Sequence, residues 1–244
     1  MSRCGPDAHR LSLSRIESYL RLGTKSLNSS AIDTVVFDLG NVLIDWNPRY
    51  LFRKLYGEEI ERMEHFLKEV CSSEWNECQD AGRSWHEGVA EAIARHPDHA
   101  DMIRAYHERW EEMLGEPIQD SVELLDEVRR AGFRVLALTN WSHETFPIAL
   151  QRFHFLHWFE GILVSGQEKL IKPDLEIFRL LISRYRIEPA RAVFIDDNLR
   201  NVVGARHVGM RALHFTSAAN LRRDLVELGV TVSSGVNVTH DAIE

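Results

Sequence analysis

Asp33-Thr-Val-Val-Phe37-Asp38-Leu-Gly40-Asn41-Val-Leu-Ile-Asp45 sets an apolar run directly against a carboxylate. Val35, Val36 and Phe37 form the pattern of a short strand buried on both faces. Asp38 follows at once, where an ionised side chain is costly unless a metal, a charge or hydrogen bonds receive it. Leu39-Gly40-Asn41 then reads as a tight turn, in which glycine lets a ligand approach the backbone closely. In open α/β sheets ligands bind at such strand ends. On this stretch alone, Asp38 reads equally well as a cap for the following helix.

Further strands of the same kind appear downstream. Arg134–Leu138, Ile162–Val164 and Ala192–Ile195 are apolar runs, and Arg211–His214 reads as a fifth strand. Helical patterns separate them. One begins near Asp120, buries Leu124, Leu125 and Val128, and stops at Gly132. A second carries Ile177, Phe178, Leu181, Ile182 and Tyr185, with Pro173 in its first turn. A third carries Val202, Val203 and Ala205, and a last one runs from Leu221 to Leu228. This alternation predicts an α/β fold, a Rossmann-like doubly wound parallel sheet with helices on both faces.

Residues 46–115 break the rhythm with helix formers, Trp and charge. Leu51, Leu55, Ile60, Met63, Phe66, Leu67 and Val70 recur at helical spacing, as do Val89, Ile93, Met102, Tyr106, Trp110 and Met113. The expectation is an inserted all-helical domain of about four helices, with the catalytic core made of residues 31–45 and 116–244. Trp75, Trp85, His86 and Trp110 read as core and surface filler, with one or two left open to face a substrate, and His96, His99 and His107 read as solvated. Residues 1–30 read as a disordered or docked extension with no secretory pattern.

Composition narrows the function classes. The 244 residues are 44% hydrophobic and 27% charged, ordinary for a globular protein. A net charge of -8 argues against a nucleic-acid or anionic-membrane partner. It also means that an anionic substrate needs a local positive site or a metal. Cys4, Cys71 and Cys78 have no zinc spacing and cannot all pair, which points to a reducing, cytoplasmic compartment.

In a parallel sheet the carboxyl ends of the strands share one edge, so Asp38, Thr139-Asn140, Lys172 and Asp196-Asp197 can converge. Asp38, Asp196 and Asp197 offer hard oxygen ligands suited to Mg²⁺, and without a cation three acids in one cleft repel. Thr139 and Asn140 supply neutral donors, and Lys172 a point charge for an anionic oxygen. A carboxylate nucleophile, a hard metal and a positive clamp fit phosphoryl transfer through an aspartyl-phosphate. Each element alone has a structural reading, as a helix cap, a turn or a solvated lysine.

Phe37-Asp-Leu-Gly-Asn-Val-Leu43, Leu138-Thr-Asn140, Lys172-Pro-Asp-Leu-Glu-Ile-Phe178 and Phe194-Ile-Asp-Asp-Asn198 together resemble the motifs of the haloacid dehalogenase superfamily of hydrolases, across residues 32–216. The resemblance implies that the helical insert is a cap of that superfamily's first type. It implies Asp38 as nucleophile, with Thr139, Asn140, Lys172 and Asn41 binding the phosphoryl group. It places Mg²⁺ on Asp38, Asp196, Asp197 and the carbonyl of Gly40. Phosphatases of the superfamily usually carry a second Asp two residues after the nucleophile, as general acid. Here Gly40 stands there, in a variant similar to glucose-1-phosphate phosphatase-like members. Glu74, Glu77 or Asp80 of the insert, a water, or a good leaving group are the candidate substitutes, and Asp45 is not favoured.

The leading expectation is therefore a Mg²⁺-dependent phosphatase acting on a small phosphorylated metabolite, such as a sugar phosphate, as a monomer or homodimer. One alternative is a 2-haloacid dehalogenase, whose leaving halide needs no proton. The other is a binding protein of the same fold that has lost turnover.

Overall fold

A computed structural model describes residues 31–231. The expected N-terminal extension, Cys4 and most of the polar C-terminal tail lie outside the described residues.

Five parallel strands form the central sheet: β1 (Thr34–Phe37), β4 (Arg134–Thr139), β5 (Gly161–Val164), β6 (Ala192–Asp196) and β7 (Arg211–His214), in the order β5-β4-β1-β6-β7. β1 is the middle strand, with Phe37 in register with Ala137 on one side and Ile195 on the other. The chain goes from β1 to one flank and returns to the other, so the topological switch lies between β1 and β6. A crevice opens outside the strand ends at such a point.

The strand residues alternate between two apolar layers, as the twofold period of a strand requires. Val35, Phe37, Val135, Ala137, Val193 and Ile195 belong to one core cluster. Val36, Leu136, Leu138, Leu163 and Phe194 belong to the other. The first cluster takes Leu124, Leu125 and Val128 of a helix at Gln119–Arg130, and Leu221 and Leu225 of one at Ala218–Glu227. The second takes Ile177, Phe178 and Leu181 of Leu175–Tyr185, and Val202 and Ala205 of Leu199–His207. The sheet is thus covered on both faces, and the doubly wound fold stands.

Five α-helices lie between β2 (Ile44–Trp46) and β3 (Leu114–Pro117): α1 (Arg49–Tyr56), α2 (Ile60–His65), α3 (Ser73–Asp80), α4 (Trp85–Arg95) and α5 (Ala100–Glu108). The π-helical turn Phe66–Val70 extends α2. Their shared interior is aromatic. Phe52 lies 4.9 Å from Phe66 and 5.6 Å from Tyr106, and Trp75 meets Tyr106 edge-on at 5.2 Å between ring centroids. Each such pair adds about 0.5–1.5 kcal/mol beyond its buried area. Trp75, Trp85 and Trp110 are buried as expected. His107 stacks on Trp85 at 5.0 Å rather than standing in solvent.

Several local expectations change. β2 and β3 pair antiparallel at the base of the insert, and neither showed as a strand in the sequence because Ile-Asp-Trp and Leu-Gly-Glu-Pro contain no apolar run. α6 (Gln119–Arg130) matches its prediction closely, whereas α7 (Phe146–Arg152) and the four-residue α8 (Ser165–Glu168) were not anticipated. α9 is Leu175–Tyr185 and starts after Asp174, so Pro173 precedes the helix instead of opening it. α10 is Leu199–His207, and its Val203 is 44% exposed rather than on the buried face. α11 is Ala218–Glu227. Cys71 is buried and Cys78 exposed, both as free thiols. Among the described residues no helix is long and apolar enough to cross a membrane.

Candidate active site

Asp38 leaves the central strand with its amide bonded to Ile195 O at 2.8 Å, so the backbone of β6 fixes its direction. The side chain is 8% exposed. Its Oδ1 accepts from Leu39 N at 2.7 Å and lies 2.9 Å from Lys172 Nζ. Asn41 follows at φ 55°, a left-handed conformation that asparagine tolerates better than most residues. Its amide reaches Asp197.

Lys172 lies between two acids. Its ammonium donates to Asp196 Oδ2 at 2.7 Å and to Leu138 O at 3.0 Å, besides the Asp38 contact. Three donors therefore have three partners. Desolvation opposes the charge of Lys172, but Asp196 and Asp38 outweigh it and hold its pKa above the usual value. Asn140 fixes the backbone there, with Nδ2 donating to Lys172 O at 3.0 Å and Oδ1 accepting from Lys172 N at 2.9 Å. Asn140 is thus tied to the lysine segment, while Thr139 ends β4 buried at 1% exposure.

Asp196 is fully buried at the end of β6. Besides Lys172, it accepts from Asn198 N at 2.8 Å and from Asn201 Nδ2 at 3.0 and 3.1 Å. Asn201 was missed in the sequence. A lone Asn on a helix carries no signal until the fold turns it onto the strand end. Asp197 lines the cleft. Burial and the neighbouring Asp196 push its carboxyl up, opposed by Lys172, its own backbone and the Asn41 amide.

One oxygen each from Asp38, Asp196 and Asp197 lie within 4.8 Å of one another. Burial pushes Asp38 up to about 7; Lys172 pulls it back, and Asp196 and Asp197 push further. Hard carboxylate oxygens this close fit a cation such as Mg²⁺, which would remove their mutual repulsion. Gly40, whose carbonyl was expected to join them, lines the same cleft.

The cleft is a cavity of about 240 Å³. That is below the usual range for drug-sized ligands, roughly 300–1,000 Å³, and so suits a small molecule. Its floor is Asp38, Lys172 and Asp197, and part of its wall is Trp46, Trp110 and Trp141. Residues of α3, namely Ser73, Asn76, Glu77 and Asp80, complete it. The strand ends and the helical insert thus share one site. Glu74 instead lines a separate cavity with Val70 and Arg95. Asp45 does not line the cleft; its carboxylate accepts from the Tyr50 hydroxyl.

Comparison with known proteins agrees with this geometry. The chain is 27% identical over 195 residues to a sesquiterpene phosphatase of Aspergillus oryzae, covering 79% of this chain and 94% of that one. A haloacid dehalogenase-like family hydrolase from Porphyromonas gingivalis superposes with a TM-score of 0.64 at 20% identity, over 83% of this chain and all of that one. A family enzyme from Bacteroides thetaiotaomicron, solved with magnesium and inorganic phosphate, gives 0.58 at 23% identity, over 77% of this chain and 96% of its own. The model of the haloacid dehalogenase-like hydrolases matches residues 32–209, from the start of β1 to the end of α10, with every motif of the cleft floor inside it; the chain belongs to that family of hydrolases.

Proposed function

We propose that this chain is a Mg²⁺-dependent phosphatase that hydrolyses a small phosphorylated metabolite, such as a sugar phosphate, through an aspartyl-phosphate on Asp38. The observation that carries the reading is Asp38 at the end of the central strand, 2.9 Å from a buried lysine and within reach of two further acids. The phosphatase relative and the magnesium and phosphate bound by the Bacteroides enzyme support it.

Asp38 attacks phosphorus with one carboxylate oxygen, and the bond to the leaving oxygen breaks. Among the described residues, Leu39 N and Lys172 Nζ both meet its side chain at Oδ1. That fixes the rotamer and leaves Oδ2 as the attacking atom. Lys172 turns part of its charge from Asp38 to the phosphoryl oxygens as the carboxylate becomes an acyl phosphate. Asn140 holds the Lys172 backbone in place through both atoms of its side-chain amide, and Thr139 at the end of β4 is, with Asn140, the neutral donor assigned to the phosphoryl oxygens. Asp38, Asp197, Asp196 and the Gly40 carbonyl would hold Mg²⁺, which would supply charge neutralisation for the phosphoryl group. Asp196 already carries three donor groups, so its larger role is to position Lys172 and Asn201. Residues 46–115 act as the cap over the site, and the Trp46, Trp110 and Trp141 faces take the alcohol part of the substrate.

Hydrolysis of p-nitrophenyl phosphate tests the reading. Turnover should require Mg²⁺, stop in EDTA, and fall by about 10⁴-fold or more in Asp38→Asn. Metal-independent chloride release from 2-chloropropionate, with no phosphatase activity, would replace it with the dehalogenase reading. The cluster of three carboxylates weighs against that outcome, because a carboxylate substrate would be repelled.

A further inference from the structure

An alcohol leaving phosphorus departs as an alkoxide unless something protonates it. Nothing on the turn after the nucleophile can do so. Leu39 and Gly40 have no acid, and Asn41 is an amide. A Cβ at Gly40 would meet nothing within 4 Å, so that side of the cleft is open space. Of the acids lining the cleft, Asp38 and Asp197 belong to the nucleophile and cation cluster. Glu77 is exposed, and Asp80 remains.

Asp80 sits at the C-terminal end of α3 and lines the same cavity as Asp38, Lys172 and Asp197, near enough to feel the charges of Asp38 and Lys172. It is held from several directions. Asn76 Nδ2 donates to its Oδ2 at 2.9 Å, and the Ser142 backbone bonds its carboxylate. Its own carbonyl accepts from Ser165 Oγ at 2.5 Å, and the same hydroxyl accepts from Trp141 N at 2.9 Å. Two residues on, Gly82 lies at φ 100°, where a Cβ would come within 2.9 Å of Lys169 and 3.1 Å of Gly166 O. The end of α3 is therefore fastened directly to the loop after β4 and to α8. A side chain carried by the insert is in this way fixed with respect to the nucleophile.

We propose that Asp80 is a catalytic residue, the acid that protonates the leaving alcohol. The inference rests on the phosphatase reading above. As Asp38 Oδ2 bonds to phosphorus and the P–O bond to the alcohol breaks, the Asp80 proton moves to that oxygen, leaving a carboxylate. Water then attacks the aspartyl-phosphate, gives its proton to Asp80, and releases Asp38 and inorganic phosphate. Burial pushes the Asp80 carboxyl up to about 7, against the pull of the Ser142 backbone, so it holds a proton near neutrality. Glu74, by contrast, is exposed and bonded to its own backbone and to Ser72, which hold it below the usual carboxylate range.

The test compares p-nitrophenyl phosphate with phenyl phosphate, which differ little in shape but much in leaving-group quality. In Asp80→Asn the ratio of their kcat/KM values rises about tenfold or more, because only the poorer leaving group depends on the acid. Adding Gly40→Asp, which has room, brings the ratio back towards wild type. An unchanged ratio in Asp80→Asn overturns the assignment, whether both rates hold or fall together, since a purely structural role affects both esters alike. Should that variant fail to fold, wild type alone decides: across substituted phenyl phosphates its kcat/KM varies shallowly with leaving-group quality, and a steep dependence overturns the proposal. Absence of any Mg²⁺-stimulated turnover on either ester sinks the phosphatase reading itself. Turnover with an unchanged ratio sinks only the role of Asp80.

Discussion

Asp80 and Asp38 are both carboxylates whose burial raises their pKa to about 7, yet their surroundings assign them opposite work. Asp38 has Lys172 at 2.9 Å and the acid cluster beside it, so its charged form is needed and can be met. Among the described residues, no cation forms an ion pair with Asp80. Glu77 on its own helix and Asp38 beyond the cleft favour its protonated form, and Lys172 opposes them. The sign of the pH dependence follows. An acid must carry its proton to act, so kcat/KM for phenyl phosphate should fall as pH rises through about 7. The fall should approach tenfold per pH unit. That alkaline limb should be absent from Asp80→Asn; a limb that persists unchanged there belongs to another group. The motif residues Asp38, Lys172 and Asp197 were legible in the sequence because each stands just past an apolar run or just before a helical one. The choice of Asp80 over Glu74 and Glu77 was not, since all three lie on one seven-residue stretch and only packing separates them.

The loop after β4, α8 and the end of α3 make the joint between insert and core. Gly166 is its tightest point. A Cβ there would lie 2.5 Å from His143 N and 2.8 Å from Trp141 O, both backbone atoms that cannot rotate away. Gly166→Ala should therefore cost about 1–3 kcal/mol in urea denaturation, the usual penalty of overpacking. It should also reduce turnover, because the loop it displaces carries Trp141 of the cleft wall and the Ser142 contact to Asp80. Full stability and activity in this variant would mean that the joint is looser than its packing implies. A second contact, Trp85 N to Glu144 Oε1 at 2.9 Å, reinforces it from α4. None of this shows in the sequence. α8 is four residues long, and a glycine chosen for lack of space looks the same as one chosen for a turn.

For the molecule as a whole, the acid cluster is a burden that ligand binding can relieve. Any ligand that binds only the native state stabilises it by about 2.7 kcal/mol at a hundred times its dissociation constant. For a chain of this size each kcal/mol raises Tm by roughly 2–4 °C. Saturating Mg²⁺ should therefore raise Tm by about 5–10 °C, and Asp197→Asn should lose most of that shift. Differential scanning calorimetry with and without Mg²⁺ measures it directly. An equal shift in wild type and Asp197→Asn would place the cation elsewhere.

The sequence by itself determined the sheet and its catalytic edge. The three inner strands β4, β1 and β6 are buried on both faces, so they read as apolar runs, and the polar residue that ends each run must be there for a reason. It also marked residues 46–115 as helical, because their apolar residues keep helical spacing. Only the tertiary structure decided which groups meet. Asn201 reaches Asp196 because α10 folds back over β6. Trp46, Trp110 and Trp141, far apart in the chain, become one wall because the insert returns onto the strand ends. Asp80 acquires its raised pKa from burial beside groups 42 and 92 residues away, Asp38 and Lys172. Local pattern records what a residue's own element needs; desolvation and proximity depend on elements the local pattern does not contain.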